Sequence, residues 1–254
     1  MPLLTQNSDL KPHHIFNWTI PAWYIRREDG SIFKTCPNAG ICAKLCYARN
    51  GTYLFSNVLK AHTRNLMFVL ENESGWFDAM NLELKSKRMK PKQPRLLPEG
   101  LSLDDLDPWM RSWFESGHPA IRIHDAGDFY DEHYLRLWMK LAEENPSLLF
   151  YAYTKEVAMF KSVDSFPINF RYLFSTGGLQ DDLITADDRH ADVFPTLDAM
   201  IQANYSSQDA SDLLAIMLPT NRIGITANNI PHFNKKLAGK TFSEYGKKNH
   251  VPTN

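Results

Sequence analysis

From Ser56 onward, apolar positions recur alternately at helical and at strand-like spacing, and that alternation sets the class of the fold. Between Ser56 and Glu71, the residues Val58, Leu59, Leu66, Met67, Val69 and Leu70 suit a helix, with Ser56 or Asn57 placed to cap its first turn. A second helix is predicted over Trp76 to Arg88, and a third over Asp104 to Glu115, closing at Gly117. The short β-branched run Ala120-Ile-Arg-Ile-His-Asp125 reads as the first strand. The unit then repeats: helix Asp131 to Glu144, a stop at Asn145-Pro146, strand Leu148 to Thr154, helix Glu156 to Val163, strand Phe170 to Ser175. Strands separated by helices of this length pair in parallel through right-handed crossovers. Further on, Gln180 to Asp192 is acidic and irregular. Ser207 to Leu218 has helical spacing, although Leu213 to Leu218 alone also suits a buried strand, and Arg222 to Thr226 is strand-like. The expectation is one α/β domain over residues 1–254, with a mainly parallel sheet and an irregular C-terminal part.

Composition narrows the class of molecule. At 43% hydrophobic and 22% charged residues the chain is an ordinary globular protein, and a net charge of −1 argues against one that coats nucleic acid with its whole surface. Met1 to Asn7 shows no basic region followed by an apolar stretch, and no run approaches the roughly 18 apolar residues of a membrane span. No membrane partner is expected, and the cytoplasm is the expected compartment. One segment breaks the balance. Lys85, Lys87, Arg88, Lys90, Lys92 and Arg95 fall in eleven residues without an acid, interrupted by two prolines that end any helix. It reads as a charged surface loop that either tracks phosphates or is simply solvated.

The chemistry concentrates first in the cysteines. The chain has three, all within Cys36-Pro-Asn-Ala-Gly-Ile-Cys42-Ala-Lys-Leu-Cys46. An odd count does not suit a disulfide framework, whereas soft thiolates select zinc or iron–sulfur clusters. Gaps of five and three residues let one loop wrap one centre, with Pro37 and Gly40 supplying the turns. Three thiolates suit an iron–sulfur cluster with one iron left open; a fourth ligand from His13, His14, His62 or His124 would suit zinc.

A second concentration lies at the strand ends. Ligands of parallel α/β sheets gather at the carboxyl ends of the strands, and here His124-Asp125-Ala-Gly-Asp128, Tyr153-Thr154-Lys155-Glu156 and Ser175-Thr176-Gly177-Gly178 follow apolar strands. A period of two lets only one of His124 and Asp125 face a barrel interior. Asp128 either contacts a ligand or helps to start the next helix, and Lys155 either anchors an anion or begins a solvated helix. Ser175, Thr176, Gly177 and Gly178 either offer amides to a carboxylate or phosphate, or form a turn. Tyr47, Tyr53, Phe129, Tyr130, Tyr151 and Tyr153 shield a cluster or fill the core. There is no Walker loop, dinucleotide fingerprint or paired nucleophile and base.

Cys46-Tyr-Ala48, Arg122-Ile-His-Asp-Ala-Gly-Asp-Phe129, Tyr151-Ala-Tyr-Thr-Lys155 and Phe174-Ser-Thr-Gly-Gly178 together resemble the phage and plasmid family called gene product eighty-eight. That family is in turn distantly similar to the radical S-adenosylmethionine enzymes, whose three-cysteine loop precedes a partial (β/α) barrel. The resemblance implies a partial or modified barrel and a 4Fe-4S cluster on Cys36, Cys42 and Cys46. It also implies redox or radical chemistry on an unknown small ligand at the open iron, and host cytoplasm as the location if the chain is phage-encoded. His124, Asp128, Lys155 and Ser175 to Gly178 would then surround the cofactor. The radical enzymes space their cysteines by three and two, and their glycine-rich strand end has only Ala126-Gly127-Asp128 as an analogue, so S-adenosylmethionine is not the favoured ligand. The alternative is a non-catalytic iron–sulfur or zinc protein that binds nucleic acid or a protein through the basic loop.

Overall fold

The computed structural model describes residues 2–92, 95–99, 101–227, 235 and 238–248. In chain order it contains β1 (Ile15–Trp18), a hairpin of β2 (Tyr24–Arg26) and β3 (Ile32–Lys34), α1 (Cys42–Leu45), α2 (Ser56–Glu71), α3 (Glu73–Leu84) and α4 (Pro108–Ser116). Then follow β4 (Ala120–Ile123), α5 (Glu132–Glu144), β5 (Leu149–Thr154), α6 (Val157–Lys161), β6 (Phe170–Ser175) and β7 (His190–Phe194). The rest comprises α7 (Leu197–Gln202), β8 (Ser206–Ser207), α8 (Leu214–Met217), β9 (Arg222–Thr226) and α9 (Phe242–Lys248).

Helix limits follow local chemistry. Asp107 accepts the Met110 amide at 3.0 Å and Pro108 occupies the first turn, so α4 begins there and not at Asp104; residues 103–105 form a separate 3-10 turn. Asn72 caps α3 in the same way, so the second helix runs from Glu73 to Leu84, earlier than its apolar spacing suggests. Of the helix expected over Ser207 to Leu218 only Leu214–Met217 forms, and Ser206–Ser207 pairs with β9 as a strand.

Seven strands form one parallel sheet in the order β1-β4-β5-β6-β7-β9-β8. Registers such as Ile15↔Ala120, Ala120↔Leu149 and Phe150↔Phe170 bring the strand ends level. The order follows the chain from β1 to β7 without reversal, and β1 and β8 are open edges. An antiparallel bridge from Thr5 to Asn17 covers the β1 edge. One face packs Phe16, Trp18, Ile121, Ile123, Phe150 and Phe174 against α2, α3, α5 and α6, around the mutually tilted rings of Trp18, Trp76 and Trp138. The opposite face packs Ile15, Ala120, Leu149, Tyr151, Leu173 and Ile223 against Met110 and Trp113 of α4 and the whole of α8. The sheet is therefore buried on both sides along its lower half, which leaves its carboxyl end as the place for a cleft.

Asn169, only 2% exposed, holds the amino end together by donating its amide to the carbonyls of Ala142, Asn145 and Leu148, at 2.9, 3.2 and 3.0 Å. Replacing it by Ala strands the end of α5, and we expect Asn169→Ala to lose about 2 kcal/mol in chemical denaturation.

Candidate functional site

The cysteine loop leaves β3 and folds back over the carboxyl ends of β5 and β6. Cys36 Sγ accepts the Trp23 amide at 3.2 Å; Cys42 opens α1, and Cys46 closes it. Between them, Asn38 donates its amide and its side chain to Glu156 at 3.0 and 2.6 Å, and its carbonyl accepts from Leu179 at 3.0 Å. The Cys42 amide donates to Gly177 O at 3.1 Å. Gly40 makes the approach possible. Its φ is +52°, and a Cβ there would lie 2.6 Å from Gly177 O and 2.7 Å from Gly178 C.

All three cysteines line one cleft of about 900 Å³ together with His124, Asp128, Lys155 and Ser175. Lys155 donates to Ser175 Oγ at 2.7 Å and to its carbonyl at 3.2 Å. A hydrogen bond from Cys46 and the Lys155 ammonium draw the Cys42 thiol down to about 6 against the opposing effect of burial. The same bond and burial push Cys46 up, while burial and the Asp128 carboxylate push Cys36 up. Among the described residues, no three or more His, Cys, Asp or Glu side chains converge as a single-ion site.

The other strand-end residues are engaged with the chain itself. Asp128 accepts from the amides of Phe129 and Lys155 and from Thr154 Oγ1, at 2.8, 2.9 and 2.8 Å. The amides of Gly177 and Gly178 donate to Asp181 at 2.7 and 2.8 Å, and Thr176 donates its hydroxyl to Asp192 at 2.6 Å. A carboxylate does occupy the glycine turn, and it is the chain's own. Thr176, Gly177 and Gly178 do not line the cleft.

His124 has φ +66°, which turns its side chain among the aromatic rings beneath α5, 3.1 Å from Tyr134 Oη and 4.6 Å from the Phe129 ring. Burial lowers it to about 3, so it is neutral, and its Nδ1 is buried without a partner. Of the other histidines considered as ligands, His13 lines the cleft, His14 bonds Gly117 O at 3.2 Å, and His62 lies against Tyr53.

Sequence reasoning missed the floor of the cleft. Arg122, in the middle of β4, stands 3.3 Å from Asp125 and 3.4 Å from Asp212. Burial works against its charge, yet Asp212 and Asp125 together hold it protonated. Tyr151 and Tyr153 donate to Asp212, Tyr153 also to Gln208, and Tyr53 to Asp125 at 2.5 Å; Tyr47 donates to the Asp125 carbonyl. A lone arginine between two isoleucines was the available signal, since an inward charge demands a partner. Its partner Asp212 lies far away in the chain.

The basic loop is less free than its composition implies. Arg88 pairs with Glu83 and donates to Leu4 O at 3.1 Å, and Arg95 stacks on Trp113 at 4.0 Å while donating to the His118 carbonyl. Lys85, Lys87, Lys90 and Lys92 are exposed. No helix of the described residues is long and apolar enough to cross a membrane.

A family model described as gene product 88 matches residues 2–249. No curated protein and no solved structure matches the chain.

Two outcomes follow from this docking. Gly40→Ala is expected to lose about 2 kcal/mol of stability and to speed reaction of the metal-free cysteines with a thiol reagent, because backbone stands where the methyl must go. Burial, then the Asp128 carboxylate, raises Glu156 from 4.5 to about 7. The folded chain thus binds this proton more tightly than the unfolded one. The stabilisation is full below 4.5 and is lost as pH rises through about 7. Thermal unfolding of the metal-free protein should show that decline, and Glu156→Gln should flatten it near neutrality.

Proposed function

The chain belongs to the gene product 88 family, and we propose that it binds a 4Fe-4S cluster through Cys36, Cys42 and Cys46, with the fourth iron open to a small ligand in the cleft. One observation carries the reading: the chain's only three cysteines, held on a loop stapled to β5 and β6, line a single large cleft at the carboxyl end of a parallel sheet. The donor set fits the group. Three thiolates satisfy three irons and leave one position for exchange, and separate irons do not require the thiols to meet at one point, as a single zinc does.

The chain's own residues prepare that site. Lys155 stands beside Cys42 and offsets negative charge there, and Tyr47, Tyr53 and Phe242 wall the cleft and limit water. Because burial raises Cys36, and the bond to Cys42 together with burial raises Cys46, loading displaces protons and grows easier as pH rises. When bound, the cluster supplies one-electron redox chemistry or activates the ligand on its open iron. Winding of the sheet in one direction supports the finer reading of a partial (β/α) barrel similar to that of the radical enzymes. S-adenosylmethionine is not favoured as the ligand, because the strand end nearest to a methionine-binding motif has its Asp128 carboxylate committed to three internal donors. The reading as a nucleic-acid binder is weaker, since Arg88 and Arg95 are spent on the protein's own packing.

Anaerobic expression or reconstitution, with iron and sulfide analysis and an optical spectrum, tests the proposal. About four irons and four sulfides per chain are expected, and each of Cys36→Ser, Cys42→Ser and Cys46→Ser should abolish them. Full iron and sulfide in any one of these variants, or zinc without sulfide after strictly anaerobic expression, would overturn it.

A further inference from the structure

The amino end of the sheet carries two features that the cysteine cleft does not use. One is a pocket of about 370 Å³ beside β6, lined by Asp105 and Asp107 as well as Arg171 and Arg189, and so balanced in charge. The other is unbalanced. Around the turn Gly117-His118, between α4 and β4, stand His14, Lys92, Arg95 and His118. Among the described residues none of His14, Arg95 and His118 pairs with a carboxylate.

This turn holds the end of the basic loop. Gly117, at φ +74°, accepts the Lys92 amide on its carbonyl at 3.0 Å, and the same oxygen lies 3.2 Å from His14 Nδ1. Arg95 donates to the His118 carbonyl and stacks on Trp113 at 4.0 Å, but its Nε and Nη1 are buried without a partner. The Gly117 carbonyl fixes the proton of His14 on Nδ1. Nε2 is therefore a bare acceptor, buried and likewise unpartnered, in a residue only 5% exposed.

Protonation upsets this arrangement. It turns Nε2 into a third buried donor in a cluster where two already lack an acceptor. It also adds charge among like charges. Of the elements packed around His14, the basic loop presents Lys92 and Arg95, the turn presents His118, and β1 presents the ring of Phe16. Burial, then Lys92 and Arg95, lowers His14 from 6.5 to about 4, and burial with Arg95 lowers His118. The closed turn thus binds protons less tightly than the opened one. Its stability is full above 6.5 and is lost as pH falls toward about 4.

We propose that the Gly117-His118 turn is an acid-sensitive latch on the basic loop: with His14 and His118 neutral it holds Lys92 and Arg95, and with them protonated it lets both go. Opening adds Arg95 to the exposed Lys85, Lys87, Lys90 and Lys92, and so enlarges a cationic surface in acid alone. The latch involves no cysteine and does not depend on what the cleft holds.

Hydrogen–deuterium exchange of the full chain, read by mass spectrometry at pH 7 and pH 5 and corrected for the intrinsic pH dependence of exchange, provides the test. The peptide that carries the Lys92 amide is expected to open about tenfold or more often at pH 5, while the peptides of α5 keep their protection. His14→Asn, which suits the left-handed backbone of residue 14 at φ +54°, is expected to abolish most of that rise. Arg95→Gln removes the cation that both histidines face and is expected to blunt it, so the test stays decisive if the Asn variant does not fold. Equal opening at the two pH values would overturn the proposal. So would a rise that survives unchanged in a folded variant, or one shared by α5, which would mean that acid loosens the chain as a whole.

Discussion

Carboxylates that accept main-chain amides, most of them buried, hold the carboxyl end of this protein together. Asp128 ties the end of β4 to the end of β5, Glu156 ties β5 to the cysteine loop, and Asp181 fixes the glycine turn after β6. Asp192 collects Thr176, the Val193 amide and both polar groups of Ser243, and so anchors α9. Asp128, Glu156 and Asp192 are buried and join pieces of chain that are distant in sequence, whereas half-buried Asp181 closes a local turn onto Gly177 and Gly178. If one is lost, donors on two segments are orphaned together, so the cysteine loop keeps its place only while the lattice is complete.

This arrangement has an electrostatic consequence. Carboxyl groups accumulate beside the thiols, and burial raises Asp128, Asp181 and Glu156. Lys155 is the cation set among them, its amide bonded to Asp128 and its ammonium to Ser175. Arg122 serves the cleft floor in the complementary way, neutralised on both sides by Asp125 and Asp212. The wall nearest the cysteines thus carries more carboxylates than cations, while the charge of the floor is balanced and its tyrosine hydroxyls are bonded to Asp125, Asp212 and Gln208.

Much of the fold was legible in the sequence because its helices are amphipathic and its middle strands alternate with them. Ser56–Glu71 and Phe170–Ser175 form at the limits their spacing predicts. β1 was not legible: its four residues are buried on both faces, so Ile15-Phe-Asn-Trp18 shows no alternation, and its pairing with β4 is a long-range choice. β7 was hidden by its polar members, half-buried His190 and buried Asp192, which are held by tertiary bonds to Tyr205, Thr176 and Ser243 and look like surface in isolation. Of the candidate site, the cysteines, Lys155 and Ser175 could be read from residue type and position. The roles of His124 and the glycine turn could not, because one depends on a left-handed backbone and the other on a carboxylate supplied by Asp181.

The covering of the two sheet faces explains why pockets form at its ends. With helices over one face and α4 and α8 over the lower part of the other, the middle of the sheet is closed by Tyr151, Leu173 and Ala191. Polar side chains that point to this second face carry partners of their own, Asp125 and Asp212 for Arg122, Asp212 for Tyr151 and Asp107 for Arg171. On this face Arg122, Tyr151 and Arg171 stand level across β4, β5 and β6, Tyr153 stands level with Leu173, and Arg171 shares a strand face with Leu173 and Ser175. A parallel strand whose inward positions run Arg171, Leu173, Ser175 therefore touches both pockets, with one leucine between them. That short separation means that the packing of Leu173 conditions both pockets, which rest on the same buried layer.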